Sequence, residues 1–145
     1  MRRLILAWMS HIMGSRQCDM VIGQNYLFRW YLIPRNPIFN IYLHLYQSPD
    51  DDRALHDHPW ASLSWLLEGY ILEGMRGGRQ RWIKPGDVIY RSATFAHHLT
   101  TQHAITLFFT GPRIREWGFL CPQGWRPWHK FVDPNDTGKI GPGCD

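Results

Sequence analysis

Short β-rich runs separated by Gly and Pro turns follow one another from about residue 25 to residue 120, and this pattern constrains the fold more than any other feature. A strand with one apolar side needs a facing sheet to cover that side. Many short strands at close spacing therefore predict a sandwich or a barrel, and helical periodicity is scarce. The sequence predicts an all-β fold with strands over residues 26–33, 38–46, 61–68, 70–73, 79–83, 87–91 and 104–110.

The length of 145 residues fits one domain, and 44% of the residues are hydrophobic, which is enough for a core that needs no disulfide or metal to fold. We therefore predict a single domain over residues 1–145, with a barrel core at about residues 26–120. Residues 131–145 are rich in Gly, Pro and Asp, and we expect this tail to wrap the surface or to fray.

Cys18, Cys121 and Cys144 are odd in number and far apart, without a C-x-x-C pair. This usage supports neither a disulfide framework nor a zinc site built from cysteines, and it predicts a cytoplasmic protein. Residues 2–9 mimic a signal peptide through two arginines and an apolar run, but the run is short and no A-x-A-like cleavage site follows. We expect this segment to be part of the fold. No stretch of about 20 apolar residues is present, so no membrane span is predicted.

Sixteen Lys and Arg residues against twelve Asp and Glu residues give a net charge of +4, and thirteen of the sixteen are arginines. Arginine binds carboxylates and phosphates in a bidentate manner, whereas lysine mainly solvates a surface. The arginines are scattered without a lysine-rich run, so nucleic acid is not predicted as a partner. The composition instead indicates a small anionic ligand.

Three histidines form the strongest candidate site: His56 and His58 in HDHPW, and His97 in the HHL that follows PGDVIYRSATFA. On a strand, residues i and i+2 point to the same face, so His56 and His58 can converge while Asp57 points away. A third imidazole from an adjacent strand would complete a site that suits Zn, Fe, Ni or Cu. His98 competes with His97 but would face the opposite way on a strand. The alternative is that the HDHPW pair lies in a loop and forms ion pairs with nearby acidic residues.

The spacing of these residues resembles the two motifs of the cupin superfamily. HDHPWASLSWLLEG is similar to the first motif, G(x)5HxH(x)3-4E(x)6G, and PGDVIYRSATFAHH is similar to the second, which has a PGD-type turn and a histidine twelve residues after the proline. His56 and His58 match the first pair of histidines, Gly69 the closing glycine and His97 the final histidine. The resemblance covers about residues 40–110 and implies a cupin-type double-stranded β-helix, a jelly-roll barrel with short N- and C-terminal extensions and a metal inside.

Ser62 or Leu63 stands where the metal-binding Glu of the family is expected. A leucine cannot ligate and a neutral hydroxyl is a poor ligand, so we predict a three-histidine site at which a divalent metal keeps both of its charges. Cupin thiol dioxygenases resemble this arrangement, since they use a three-histidine iron. The resemblance implies one divalent transition metal, with iron expected first and Zn, Ni, Mn or Cu as alternatives. Such a site favours anionic substrates.

Other side chains can contact a ligand only if they face the barrel interior. Tyr42, Tyr90 and Arg91 are candidates for hydrogen bonds to a ligand at the barrel mouth, but alternation alone does not say which face is inside. Glu73 is the candidate acid or base if its strand faces inward, although a solvated face is the expectation. His44 either supports the site from a strand that lines the barrel or is an ordinary sheet histidine.

Three functions are consistent with these residues. The first is a mononuclear non-haem iron oxygenase or dioxygenase that acts on a small anionic substrate. The second is a sugar isomerase or epimerase, which needs an inward-facing acid or base. The third is a module that binds a small ligand without turnover, which the loss of the usual Glu would permit. A homodimer through an edge strand is common in the resembling family and is expected here as well.

Overall fold

The computed structural model describes residues 1–49 and 53–145. The described chain is mostly β-structure, which confirms the predicted all-β class. Its elements are, in chain order, α1 (Arg2–Ser15), β1 (Met20–Ile22), β2 (Leu27–Tyr31), β3 (Asn40–Tyr46), β4 (Leu55–His56), β5 (Ser62–Gly69), β6 (Ile71–Met75), a 3-10 turn (Arg76–Gly78), β7 (Gln80–Ile83), β8 (Val88–Arg91), β9 (His97–Thr100), β10 (Ala104–Thr110), β11 (Gly118–Cys121), β12 (Gly124–Pro127) and α2 (Trp128–Phe131).

The strands form two six-stranded antiparallel sheets. The first sheet has the order β1-β2-β3-β10-β5-β8, and the second has the order β12-β11-β4-β9-β6-β7. Between β3 and β11 the chain passes repeatedly from one sheet to the other, which winds it into a double-stranded β-helix. Each predicted run overlaps a strand, whereas β1, β4, β9, β11 and β12 lie outside the predicted runs. These strands are two to four residues long, too short to show an alternating pattern.

Helix α1 covers the outer face of the first sheet, so this sheet is packed on both sides. Apolar residues recur along α1 at helical spacing, and Met9 is fully buried in a cluster with Trp30 and Leu43. The apolar face of β3 therefore points outward, under the helix, while Tyr42 and His44 point into the cavity between the sheets. The N-terminal segment is part of the fold as expected, although its helix was not predicted. Within residues 1–49 and 53–145, no helix is both long and apolar enough to cross a bilayer.

We call residues 132–145 the C-terminal strap, because this segment connects the two sheets. At one end Cys144 forms a disulfide with Cys121 on β11. In the middle of the strap, the Thr137 hydroxyl donates to the carbonyl of Val21 on β1 at 2.8 Å. The expectation that the cysteines form no disulfide is therefore wrong for this pair, and the cytoplasmic prediction loses its premise. Cys18 is a free thiol.

Replacing Cys144 with serine should lower the free energy of unfolding by about 3 kcal/mol, because the disulfide closes a loop with a sequence separation of 23 residues in the unfolded chain. Chemical denaturation of the two proteins under non-reducing conditions measures the difference. Cys18→Ser removes a thiol that closes no loop, so it serves as the matched control and should shift stability far less. Equal stability of Cys144→Ser and the wild type would contradict the expected role of the disulfide.

Candidate metal centre and cavity

A cavity of about 1050 Å³ lies between the two sheets, and the C-terminal strap forms part of its wall. This volume is slightly above the range of about 300–1,000 Å³ that is usual for small-molecule sites. The described part of the wall contains no Asp or Glu. Its cationic residues are Arg29, Arg35, Arg53, Arg91, Arg113 and Lys139. The described part of the wall is therefore electropositive.

The three predicted histidines meet in the wall of this cavity. His56 on β4 lies directly opposite His97 on β9 in the strand register, and His58 follows just after β4. Their ligand nitrogens all lie within 4.8 Å of one another, and the Nε2 atoms of His58 and His97 are 2.9 Å apart. This arrangement can hold a metal ion. The alternative pairing with an acidic cluster involves residues 50–52, which lie outside the described residues.

Asp57, between the two histidines of HDHPW, points away from them and fastens the segment to the second sheet. Its carboxylate accepts hydrogen bonds from the backbone N–H of Gly118 at 2.8 Å and from the indole of Trp125 at 3.0 Å. It also forms an ion pair with Arg115 at 2.9 Å. Because these contacts fix the side chain of Asp57 on one side of the backbone, the histidines on either side of it face the cavity.

Glu73 on β6 orients His97 from behind. The predicted solvated face is wrong, since Glu73 is 0% exposed. Its carboxylate accepts a hydrogen bond from Nδ1 of His97 and another from Nε of Arg91 at 2.6 Å, and it pairs with Arg81 as well. Burial raises the pKa of Glu73, but the hydrogen bond from His97 and the charge of Arg91 outweigh it and lower this pKa to about 2. Because Nδ1 of His97 carries the proton, its Nε2 is the nitrogen that can bind a metal.

The three histidines are neutral at physiological pH. Burial lowers the pKa of His56 to about 4 and that of His97 to about 3. Burial also holds the pKa of His58 well below its usual value, and the neighbouring imidazoles add to the effect. Neutral imidazole is the form that ligates metals. The three imidazoles can therefore bind a cation without releasing protons.

The position of the missing carboxylate is occupied by a hydroxyl. Ser62 is 3% exposed and lies opposite Arg91 in the strand register, whereas Leu63 points outward and is 37% exposed. The Ser62 hydroxyl has no hydrogen-bond partner among the described residues. In the described chain, the side chains that could together hold one metal ion here are all histidines. The carboxylate of Glu73 is not among them and forms a hydrogen bond with His97 instead.

The structure separates the remaining candidates by face. Tyr42 and Arg91 line the cavity, whereas Tyr90 is 67% exposed on the outer face and is not part of the cavity wall. His98 also faces away from the cavity, as expected, and lies over Gly74. A Cβ atom on Gly74 would come within 2.4 Å of His98 Nε2, so the absence of a side chain at this position makes room for the imidazole.

Two further cavity residues were not recognised as a pair from the sequence. Arg29 on β2 lies opposite His44 on β3, and its Nε donates to Nε2 of His44 at 2.9 Å. His44 is 1% exposed and lines the cavity, which settles the open question of its face. In the sequence, both residues alternate with apolar neighbours. This alternation does not show that both point inward until the register of the strands is known.

Comparison with solved structures identifies the fold. The polyketide cyclase RemF from Streptomyces resistomycificus aligns with a TM-score of 0.56 and 16% identity over 68% of this chain and 75% of its own. A cupin-like protein from Thermotoga maritima aligns with a TM-score of 0.52 and 14% identity over 65% of this chain and 75% of its own. These likenesses confirm the predicted cupin fold.

The DMSP lyase DddQ from Ruegeria pomeroyi DSS-3 aligns with a TM-score of 0.54 and 18% identity over 68% of this chain. The alignment spans about half of that lyase, 54% of its length. No protein-family model matches the chain, and neither does the sequence of a curated protein. At these identities the likeness concerns the fold alone.

Proposed function

We propose that this cupin-fold chain is a metal-dependent enzyme, a mononuclear non-haem iron oxygenase that acts on a small anionic substrate. One observation carries the proposal: three neutral imidazoles converge in the wall of a cavity, and the described part of that wall is electropositive. When bound, such a metal supplies open positions at which O2 and a substrate can be activated.

The donor set fits a transition metal. Three neutral nitrogens, without a thiolate or a carboxylate, suit Fe, Zn, Ni or Cu better than Mg or Ca. Two nitrogens that each lie about 2.1 Å from one ion at a right angle are about 3.0 Å apart. The Nε2 atoms of His58 and His97 are 2.9 Å apart, so little movement is needed for both to bind one ion.

The surrounding side chains balance the charge of Glu73 and place aromatic rings beside the histidines. The negative charge of Glu73 is balanced by Arg91 and Arg81, so it does not offset the charge of a bound metal. Trp60 stacks on the ring of His58 at 5.1 Å, with an interplanar angle of 8°. Trp117 packs beside His56 at 6.5 Å. Both tryptophans line the cavity, so apolar rings flank the histidines there.

The contacts of Glu73 make it a poor proton acceptor for the isomerase alternative. An isomerase needs an inward-facing carboxylate or tyrosine that moves protons, and Tyr42 lines the cavity. Glu73 has a pKa lowered to about 2, and Arg81, Arg91 and His97 already occupy its oxygens, so it is a weak base. The hydroxyl of Ser62 at the carboxylate position is also compatible with the binding module, because a protein without turnover does not need that ligand.

Metal content and oxygen uptake test the proposal. The chain is purified without added ions, reconstituted anaerobically with Fe²⁺, and assayed for O2 consumption with a panel of small carboxylic acids. About one iron per chain and substrate-dependent O2 uptake are expected. Tight zinc or nickel binding without turnover would favour the binding module. Absence of metal from both the purified and the reconstituted protein would overturn the proposal.

Metal affinity should change less than about tenfold between pH 7.5 and 5.5. The pKa values of His56 and His97 are lowered to about 4 and 3, so both rings stay neutral over this range. Three imidazoles of the usual pKa, about 6.5, would each be mostly protonated at pH 5.5, and together they would cost about 1,000-fold in affinity. Spectroscopic titration with Co²⁺ at the two pH values distinguishes these outcomes.

The organisation of the chain is also part of the proposal. Helix α1 and the C-terminal strap both pack on the β-helix, which supports one domain over residues 1–145. The homodimer remains a prediction, and sedimentation velocity of the purified chain tests it.

A further inference from the structure

Arg29 is a cavity cation without a counter-anion. It lies on β2 and forms part of the cavity wall. Among the other wall cations, Arg91 pairs with Glu73 at 2.6 Å and Lys139 pairs with Asp136 at 3.4 Å, whereas Arg35 and Arg113, like Arg29, form no ion pair in the described chain. Among residues 1–49 and 53–145, no carboxylate forms an ion pair with Arg29. Arg29 is half-buried, and a guanidinium in this position without such a partner favours a ligand that supplies the missing charge.

The guanidinium of Arg29 is held in place by two contacts. Its Nε donates to Nε2 of His44 at 2.9 Å, and its Cζ lies 4.5 Å from the centroid of the Tyr42 ring. His44 accepts at Nε2 and therefore carries its proton on Nδ1, which lies 3.3 Å from the hydroxyl of Tyr46. His44 is thus a positioning residue for Arg29. The two contacts occupy Nε and one face of the guanidinium.

The donors that remain on Arg29 have the geometry of a carboxylate site. With Nε occupied, the two Nη atoms present parallel N–H groups along the end of the fork, and in the described chain neither forms a hydrogen bond with protein. Such an edge pairs with the two oxygens of a carboxylate in a bidentate manner. Besides His44, the polar and charged side chains that surround Arg29 are those of Tyr31, Tyr42, Tyr46 and Arg35, and none of them is a carboxylate.

Aromatic rings connect this site to the three histidines. The ring of Phe108 lies 4.8 Å from that of His44, and the ring of Trp60 lies 5.6 Å from that of Phe108. Trp60 in turn stacks on His58. All of these residues line the same cavity. A ligand that reaches from Arg29 to the histidines would therefore have an apolar middle.

We infer that Arg29 binds the carboxylate of a small organic acid whose apolar body lies against Phe108 and Trp60 and whose other end faces the three histidines. The inference rests on the proposed function only in calling this acid the substrate. The same guanidinium edge also accepts a phosphoryl group, so the experiment includes a probe of that kind.

Titration of the metal-free protein with benzoate tests the assignment, with benzamide as the uncharged probe of the same shape and phenylphosphonate as the phosphoryl probe. Calorimetry should show that the wild type binds benzoate at least tenfold more tightly than benzamide. Arg29→Gln should lose at least tenfold in benzoate affinity and leave benzamide unchanged. Arg29→Lys keeps the positive charge but lacks the two parallel N–H groups. Its benzoate affinity should therefore lie between those of the wild type and Arg29→Gln.

Arg35→Gln is the matched control, because Arg35 also lines the cavity but stacks on Tyr31 rather than on Tyr42. This variant should keep benzoate affinity within about threefold. Equal losses in the two glutamine variants, or equal affinity of the wild type for benzoate and benzamide, would overturn the assignment. No benzoate binding up to 50 mM, on the order of the weakest affinity of interest, would also overturn it. Tighter binding of phenylphosphonate would replace the carboxylate by a phosphoryl group.

Two further measurements test the Arg29 site separately from the folding of the variant and from the proposed function. If Arg29→Gln does not fold, the Nε–H signal of Arg29 in the NMR spectrum of the wild type, identified with Arg29→Lys, should shift with benzoate and not with benzamide. Metal binding is measured separately, by Co²⁺ titration of the wild type without benzoate. If the protein binds benzoate but no metal, the proposed enzyme is rejected and the carboxylate site at Arg29 is kept. If it binds metal but not benzoate, only the carboxylate site is rejected.

Discussion

Replacement of Glu73 by alanine is expected to lower the free energy of unfolding of the metal-free protein by about 3–5 kcal/mol, the usual cost of breaking a buried ion pair by removing one partner. Arg91 is left behind with a side chain that is only 3% exposed, and Nδ1 of His97 loses its acceptor. Glu73→Gln keeps the shape and one acceptor oxygen, so a smaller loss is expected. Denaturation by guanidinium chloride measures all three proteins.

Glu68 provides the matched control for Glu73. It also pairs with a histidine, His103, at 2.9 Å, but the two side chains are 47% and 51% exposed. Exposed pairs of this kind contribute about 0–1 kcal/mol, so Glu68→Ala should change stability little. If Glu73→Ala were as mild as Glu68→Ala, the buried network would not stabilise the second sheet.

The Glu73 variants also test how His97 is held. A carboxylate behind a ligating histidine fixes the orientation and tautomer of its ring, and its removal usually costs about 10–100-fold in metal affinity. Glu73→Gln should therefore weaken Co²⁺ binding by this factor while the three imidazoles stay in place. Unchanged affinity would mean that the β9 backbone alone positions His97.

The sequence predicted the parts of the molecule that depend on local periodicity. His56 and His58 share a face because a strand has a period of two, and the motif spacing indicated which histidine joins them. It could not predict which face of each strand is inside, because a shift of one residue exchanges the faces. Tyr90 and Arg91 illustrate the point: both were candidates, and only Arg91 faces the cavity.

Contacts between residues that are distant in the chain could not be predicted from the sequence. The hydrogen-bonding partners of Glu73 lie 8, 18 and 24 residues away. Pairing of β6 with β7 and β9 brings Arg81 and His97 to Glu73, whereas Arg91 reaches it from β8 in the other sheet. The apolar face of β3 points outward because α1 covers it, and no motif signals this helix. The disulfide was missed because Cys144 lies in a tail whose path depends on contacts with both sheets.

The largest effect on the proposed centre is expected from His58→Ala, which should weaken metal binding by more than about 100-fold and leave the fold intact. Loss of a ligand exceeds the 10–100-fold cost of losing an outer hydrogen bond, because the remaining histidines hold an ion by two nitrogens only. Stability should change little, since burial keeps the pKa of His58 low and the ring forms no ion pair with residues 1–49 or 53–145. Co²⁺ titration and thermal unfolding provide the two readouts.

His98→Ala is the control that makes this result specific. His98 is adjacent to His97 in the chain but lies over Gly74, away from the cavity, so its removal should leave Co²⁺ binding unchanged. Wild-type affinity in His58→Ala would mean that the ion is held elsewhere, and the enzymatic proposal would fail with it. Unfolding of His58→Ala would show instead that the imidazole, and not a metal, is what the cavity wall requires. If His58→Ala is folded but loses Co²⁺ binding, while His98→Ala keeps it, only a ligand role for His58 explains both results.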